Sequence, residues 1–337
     1  MRMSTNSAAG NSRRGAALLI VLWLTAALSA IAFMLANTVR GEMERSSMDA
    51  DGLKAYYLAA GAIDRTLAYI EPNSAFRGPD GKARFDLTQT RVMLLDFPTG
   101  VARVEYIPER SKLNVNQAEP RELGSLLVAL GADPARAEAT VAGILDWRGG
   151  TPGGSFTEFD QYYLSLTPSF RARHASLQEI EELLLVRGVT PDLFYGSYTR
   201  DAEGRFVPHH GLRDCLSVYG AGSGYLLDVN TVTPEVMVAV GVTPESAAAI
   251  VARRNTAPIR DMGAIAGLGG PGIGRLGMAN GSIITLRATA QLKLPDGKLS
   301  DLHRTVSAMV KLLDPRDMRD GMPFHVMRWY DDAAILQ

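Results

Sequence analysis

The stretch Arg13-Arg14-Gly15-Ala16-Ala17-Leu18-Leu19-Ile20-Val21-Leu22-Trp23-Leu24 decides how the rest of the chain is read. From Gly15 to Val39 no residue is charged, and Arg40 is the next ionised side chain. A helix of about 20 such residues crosses a bilayer core at roughly 1.5 Å per residue. Two arginines stand before the run, which predicts a cytoplasmic N-terminus and the remainder of the chain on the far side. A secretory signal fits less well, because its apolar core is usually about 7–15 residues and ends at a small-residue cleavage site. Here the run is longer and passes through Glu42-Met43-Glu44-Arg45 into a helix-period pattern. Leu53, Tyr56, Ala60, Ile63, Leu67 and Ile70 recur at spacings of three and four, one apolar helix face. A single helix over roughly residues 17–71 is expected, in lipid for its first half, seated on a soluble body for its second, and ended by Pro72.

The totals narrow the class. At 337 residues the chain is long enough for about two domains of ordinary size. With 35 basic and 36 acidic residues it has a formal net charge of −1, which does not suit a general nucleic-acid binder. Cys215 is the single cysteine, so an intramolecular disulfide and a cysteine-based zinc site are excluded; burial is the expected state of that thiol.

Along the chain, residues 1–15 read as a disordered leader. Residues 72–89 are turn-rich, and strands are predicted at Arg91–Leu95 and Val101–Ile107, on either side of Pro98-Thr99-Gly100. An internal repeat follows. Leu113-Asn114-Val115-Asn116-Gln117-Ala118-Glu119-Pro120 matches Leu227-Asp228-Val229-Asn230-Thr231-Val232-Thr233-Pro234. Each copy leads into an apolar helix, a turn (Leu130-Gly131-Ala132-Asp133-Pro134; Val240-Gly241-Val242-Thr243-Pro244) and a second helix, at 135–147 and 245–254. Asn116 and Thr231 are expected as helix caps, Pro134 and Pro244 as first helical residues, and Gly131 and Gly241 as helix ends. Phe159, Tyr162, Tyr163 and Leu166 are expected in the core or as loop anchors, and Tyr56 and Tyr57 as packing residues. Ser176 and Glu179 have capping-box spacing before a helix that ends at Gly188-Val189-Thr190-Pro191, an echo of the repeat's turn. Residues 258–281 read as a further degenerate copy. Strands return at Ser282–Leu294 and Leu302–Leu313 around Pro295-Asp296-Gly297-Lys298, with a last one at His325–Tyr330. Strand-forming segments thus bracket a helical block, which predicts one antiparallel sheet on the C-terminal half of the long helix with a helical domain inserted into it.

A short polar leader ending in basic residues and Gly15, then Ala16 and an uncharged helix, resembles a type IV prepilin-like protein. The resemblance implies cleavage between Gly15 and Ala16 by a prepilin peptidase and N-methylation of Ala16. In that family the fifth mature residue is usually a glutamate that pairs with a neighbouring subunit's N-terminal amine; here it is Ile20. A carboxylate in lipid is costly unless paired, so its absence implies a subunit at a filament end. The Ser111–Asn116 lead-in, the Asp146-Trp147-Arg148 corner, the Tyr162-Tyr163 pair and the second Leu227–Asn230 lead-in extend the resemblance to the minor pseudopilin K family of type II secretion systems. That family implies an α+β pilin-like fold with a large all-α insertion. The division expected is 1–15 leader, 16–40 transmembrane half of the helix, 41–112 first part of the pilin-like domain, 113–280 inserted domain with two repeats, and 281–337 second part. It also implies a non-enzymatic minor pseudopilin at the pseudopilus tip, with I-type and J-type minor pseudopilins as partners. The protein would be single-pass in the inner membrane via residues 16–39, its globular part periplasmic.

The repeats also resemble helix-hairpin-helix or SAM-like modules, and a membrane-anchored DNA receptor is the competing reading. Charge argues against it. Residues 113–148 hold Arg121, Arg136 and Arg148 against Glu119, Glu122, Asp133, Glu138 and Asp146. Residues 227–255 hold Arg253 and Arg254 against Asp228, Glu235 and Glu245. No nucleic-acid partner is therefore expected. The five histidines (His174, His209, His210, His303, His325) form no metal motif, His209 and His210 read as exposed loop residues, and no catalytic constellation can be assembled. Calcium is the one cofactor left open, at Asp80-Gly81 and Asp201-Ala202-Glu203-Gly204, because such oxygen-rich turns suit a hard cation. Some family members bind calcium through an acid-rich loop after Asp-Trp-Arg; here that loop is glycine-rich.

Overall fold

The computed structural model describes residues 10–70, 91–150, 154–200, 204, 206–278, 281–313, 316 and 323–331. The long helix α1 runs Gly10–Ile70, 61 residues without a proline, and is roughly 90 Å long. It begins inside the leader rather than after it, since nothing between Gly10 and Gly15 breaks a helix. Its predicted end at Pro72 lies outside the described residues. Two strands follow, β1 (Val92–Phe97) and β2 (Gly100–Pro108).

The inserted block then opens with β3 (Leu113–Asn114), α2 (Pro120–Ala129), α3 (Pro134–Arg148) and α4 (Glu158–Leu164). It continues with α5 (Pro191–Tyr195), a hairpin of β4 (Ser197–Arg200) and β5 (Phe206–His209), α6 (Leu212–Cys215) and β6 (Leu216–Ser217). The second repeat supplies β7 (Leu227–Asp228), α7 (Pro234–Ala239) and α8 (Pro244–Thr256), closed by β8 (Leu276–Gly277). The chain returns to β9 (Ile283–Lys293), β10 (Leu299–Leu312) and β11 (Phe324–Asp331).

Among the described residues the main sheet has the order β1-β2-β9-β10-β11, antiparallel throughout. Strand β2 thus pairs with β9 although the whole insertion separates them in sequence. Alternation sorts the sheet's faces. Ile284, Leu286, Ala288, Ala290 and Leu292 of β9 point to α1, as do Val306, Ala308 and Val310 of β10. Thr285, Arg287, Ser307 and Met309 point the other way, toward the insertion. The result is three layers: helix, sheet, inserted domain.

The helix meets the sheet through much of the predicted face: Ile63 and Leu67 are buried, and Tyr56 and Ile70 pack against the same core. Ala55, Ala59, Ala62 and Thr66 are fully buried with Ile63, whereas Leu53 and Tyr57 are exposed. Small residues let the helix approach the alanine-rich strands closely, which brings Ala55, Ala59 and Ala62 into the contact beside Ile63 and Leu67. Gly100 marks the tightest contact: a Cβ there would stand 2.5 Å from Leu58 Cδ2 and 2.2 Å from the Gln291 carbonyl. A second, separate core from Leu113 to Leu276 fills the insertion, with Tyr163 and Phe194 among its largest buried side chains and Cys215 inside it.

The repeat holds at the level of individual bonds. Val115 N–H donates to the Ser217 carbonyl and Val229 N–H to the Gly277 carbonyl, so each lead-in forms a short parallel bridge. Gly131 (φ +91°) and Gly241 (φ +98°) end the first helix of each pair, and Pro134 and Pro244 begin the second. The predicted caps are displaced: Glu119 and Thr233 occupy the N-cap positions. Asn116 instead donates to the Leu177 carbonyl at 2.9 Å and accepts from Leu177 N–H at 2.8 Å. Asn230 makes the same pair with Ile259, at 2.9 and 2.8 Å. Helix α7 is four residues shorter than α2, about one turn, yet the geometry is preserved because the closing arginine moves back by a turn as well. Arg148 reaches the carbonyls of Val115 and Ala118, and Arg254 those of Val229 and Val232.

Two further expectations change. The helix predicted from Ser176 is a 3-10 segment, Ile180–Leu185, with Glu179 rather than Ser176 at its cap. Residues 258–281 carry short 3-10 turns at Met262–Ile265 and Pro271–Arg275 instead of a third helical copy. The echo at Gly188–Pro191 does recur, with Gly188 at φ +94° and Thr190 capping α5.

Candidate functional site

Two regions qualify as functional surface: the uncovered half of α1 and the seam where the insertion sits on the sheet. Across the apolar half an 18-residue window has mean hydropathy 2.5 and none of it is buried. Leu18, Ile20, Leu22, Trp23 and Phe33 are all exposed, Ile20 by 64%. A structure that leaves so much apolar surface bare is complete only in lipid or against other helices. Gly15 and Ala16 lie within α1, at the start of this bare segment. An ionised glutamate in place of Ile20 would stand on the same unshielded surface, at a cost of about 3 kcal/mol or more at the centre of a bilayer.

The seam is polar, and no pattern in the sequence announces it. Arg91, just before β1, pairs with Asp228 of the second repeat at 3.0 Å, and Asp228 is only 1% exposed. Burial pushes the Asp228 carboxyl up, against the pull of Arg91. Arg287 on β9 holds Asp214 of α6 at 3.1 Å. The carboxylate of Glu109, which directly follows β2, accepts from Thr285 Oγ1 at 2.6 Å and from Lys112 Nζ at 3.3 Å. Arg328 on β11 pairs with Glu179. These contacts tie the insertion to β9, to β11 and to the residue preceding β1, and Glu109 braces the chain's entry into it. One signal was visible: the first repeat has Asn114 where the second has Asp228, and a charge at a buried repeat position calls for a counter-charge elsewhere.

The Asp146-Trp147-Arg148 corner is structural. Trp147 Nε1 donates to Glu182 at 3.2 Å and its ring meets Tyr163 edge-on, with centroids 5.6 Å apart. His174, at φ +48°, bonds the Asp146 carbonyl at 3.1 Å and the buried Asp160 carboxylate at 3.0 Å. Burial raises the Asp160 carboxyl, but the hydrogen bonds from His174 and Thr157 N–H, with the charges of His174 and Arg171, together outweigh it and the net shift is downward. His209 and His210 are both exposed, as read from the sequence, though His209 ends strand β5 and His210 meets Glu235 at 3.1 Å. Arg148 and Arg254, one in each hairpin, are occupied by backbone carbonyls. Among the described residues no group of three or more histidine, cysteine or acidic side chains is placed to hold a metal. The calcium candidates fall outside the described residues except for Gly204. The Cys215 thiol is buried, 3.4 Å from Thr233 Oγ1, and burial pushes its pKa well up.

A long N-terminal helix, bare in its first half and laid by its second half on an antiparallel sheet, defines an α+β protein of pilin-like fold. Residues 84–195 match the family model described as Type II secretion system (T2SS), protein K. The resemblance seen in the sequence therefore stands: the chain is similar to minor pseudopilin K, with the family match spanning roughly a third of its 337 residues. Among solved structures, a chain of "The Crystal Structure of the GspK-GspI-GspJ complex from enterotoxigenic Escherichia coli Type 2 Secretion System" matches with a TM-score of 0.51 at 14% identity. The match covers 85% of this chain and 98% of that one, and at such identity the likeness is one of fold. No curated protein matches.

Proposed function

We propose that this chain is a K-type minor pseudopilin, a non-enzymatic subunit at the tip of a type II secretion pseudopilus that initiates or caps filament assembly for export of folded proteins. The observation that carries the reading is the protein K match at 84–195 within a fold whose long helix is uncovered from Ala16 to Val39. The helix anchors the protein in the inner membrane, N-terminus cytoplasmic and globular part periplasmic, in keeping with Arg13 and Arg14 before the apolar run. A prepilin peptidase cuts between Gly15 and Ala16, and Ala16 is methylated. Ile20 leaves the N-terminal amine of a further subunit without a counter-charge, which suits a terminal position. The partners are I-type and J-type minor pseudopilins, the kind assembled with protein K in the matched complex.

The units 41–112 and 281–337 act as the pilin-like body, and 113–280 as the cap. Its two repeats are degenerate helix-hairpin-helix units kept as scaffold, a reading supported by the matching Asn116 and Asn230 braces and the carbonyl-bound arginines. Replacing Gly15 with leucine tests the proposal: cleavage and secretion should both fail, and normal secretion by Gly15→Leu would sink it.

A further inference from the structure

A cleft of about 380 Å³ lies between the outer face of the sheet and the insertion, bordered by Glu109, Glu181, Ile180, Tyr219, Met309 and Tyr330. Pockets of this size at the join of two packed units, with apolar walls and a few convergent polar groups, are where ligands are held. Two of its polar atoms lack a partner. Glu109 is 1% exposed, and while its Oε1 is held by Thr285 and Lys112, its Oε2 is buried with no hydrogen bond. Glu181 Oε2 is likewise buried and unpartnered. Both glutamates and the Tyr330 ring line this one cleft, and burial, then the charge of Glu181, pushes the Tyr330 phenol upward. Of the four cations lining the cleft, Arg328 pairs with Glu179, Arg287 with Asp214 and Lys112 with the other Glu109 oxygen, and Arg213 lies over the Tyr195 ring.

Stranding a charged oxygen away from water is costly unless a cation or a set of N–H donors meets it. Two such oxygens, on an apolar and aromatic wall, fit a planar guanidinium: it supplies several N–H donors in one plane, bridges carboxylates and stacks on a phenol face. We infer that this cleft is a binding site for a guanidinium group, held by Glu109 Oε2 and Glu181 Oε2 against Tyr330. The same chemistry is offered by a free guanidino compound and by an arginine side chain of another polypeptide, so the test separates them.

The probes are L-argininamide, its neutral isostere citrullinamide, and a short peptide carrying one arginine, each titrated calorimetrically into the full-length detergent-solubilised protein. Argininamide should bind saturably at one site, citrullinamide at least tenfold more weakly, and Glu181→Gln should lose argininamide binding by a similar factor. Tighter binding of the peptide than of argininamide assigns the site to a polypeptide arginine; equal or weaker binding assigns it to a free guanidino compound. No saturable heat with argininamide, or equal affinity for citrullinamide, overturns the inference. The citrullinamide comparison is made on the unmodified protein, so it decides the matter even if Glu181→Gln does not fold.

Discussion

Asn116 and Asn230 offer a direct test of the insertion's internal logic. Each asparagine gives one N–H to a backbone carbonyl and takes one backbone N–H, both at 2.8–2.9 Å, from a residue 61 or 29 positions further on. Replacement by alanine removes two hydrogen bonds and leaves a main-chain donor and acceptor, both part-buried, without partners. At about 1 kcal/mol per bond plus part of the penalty for the stranded pair, each variant should lose about 2–3 kcal/mol. In a unit of this size that lowers the midpoint by roughly 4–12 °C. Aspartate separates the two bonds. Its carboxylate can still accept from the N–H of Leu177 or Ile259, but it faces the carbonyl with no proton to donate. The carboxyl's folded pKa should then lie above its unfolded value, so the Asp variants should gain stability as pH falls from neutral toward about 4, where a proton restores the donor. The assay is urea unfolding of the full-length protein followed by the fluorescence of Trp147, which is buried in the insertion's core. Tryptophans at 23 and 329 are replaced by phenylalanine to isolate the signal. A loss below about 0.5 kcal/mol for both alanine variants, within the range of an ordinary surface change, would refute the brace. A full loss at Asn116 with none at Asn230 would refute the equivalence of the two repeats.

Other outcomes follow from the same geometry. Arg148→Met keeps the apolar stem but frees two carbonyls bonded at 2.5 and 2.7 Å, and should cost about 3 kcal/mol in the same urea assay. Gly131→Ala meets open space and suffers only its positive φ, for about 1 kcal/mol, whereas Gly188→Ala would also bring a Cβ within 2.3 Å of Thr140 Oγ1 and should cost clearly more. His210 is held above its ordinary pKa by its hydrogen bond to Glu235; burial raises Glu235, but His210 together with the local hydrogen bonds outweighs it and lowers the carboxyl. The His210 contribution is complete below the unfolded histidine value and is lost as pH rises through the folded one. The Glu235 contribution is present above the unfolded glutamate value and is lost as pH falls through the folded one. The stability gap between the unmodified protein and His210→Gln should therefore be widest at about pH 4.5–6.5 and close on either side. Cys215, buried and with a raised pKa, should react with a thiol reagent only on unfolding; fast labelling of the folded protein would contradict its placement.

Much of the architecture was legible because it rests on local rules. The uncharged run from Gly15, the strand alternation around Val101–Ile107 and the Pro295–Lys298 turn each act over a few residues, and each appears where the pattern put it. The repeat was legible as well, down to Gly131, Gly241, Pro134 and Pro244, because φ and the missing proline donor constrain those positions on their own. What failed depended on partners far away in sequence. Asn116 could have capped the next helix; only the arrival of Leu177 shows that its amide is used across 61 residues. The helix face was legible at Ile63 and Leu67 but not at Leu53, which is exposed, because close packing on an alanine-rich sheet brings Ala55, Ala59 and Ala62 into the contact. The ion pairs of the seam, Arg91 with Asp228 and Arg287 with Asp214, join segments separated by more than seventy residues, and no periodicity reports them.

The central claim is that the bare helix begins as a processed pilin-type N-terminus, and the intact mass and N-terminal sequence of the protein recovered from its native membrane test it most directly. The account predicts a chain that starts at Ala16 and carries one methyl group on its amine. A chain that still starts near Met1, or one cut beyond Val39, would contradict it.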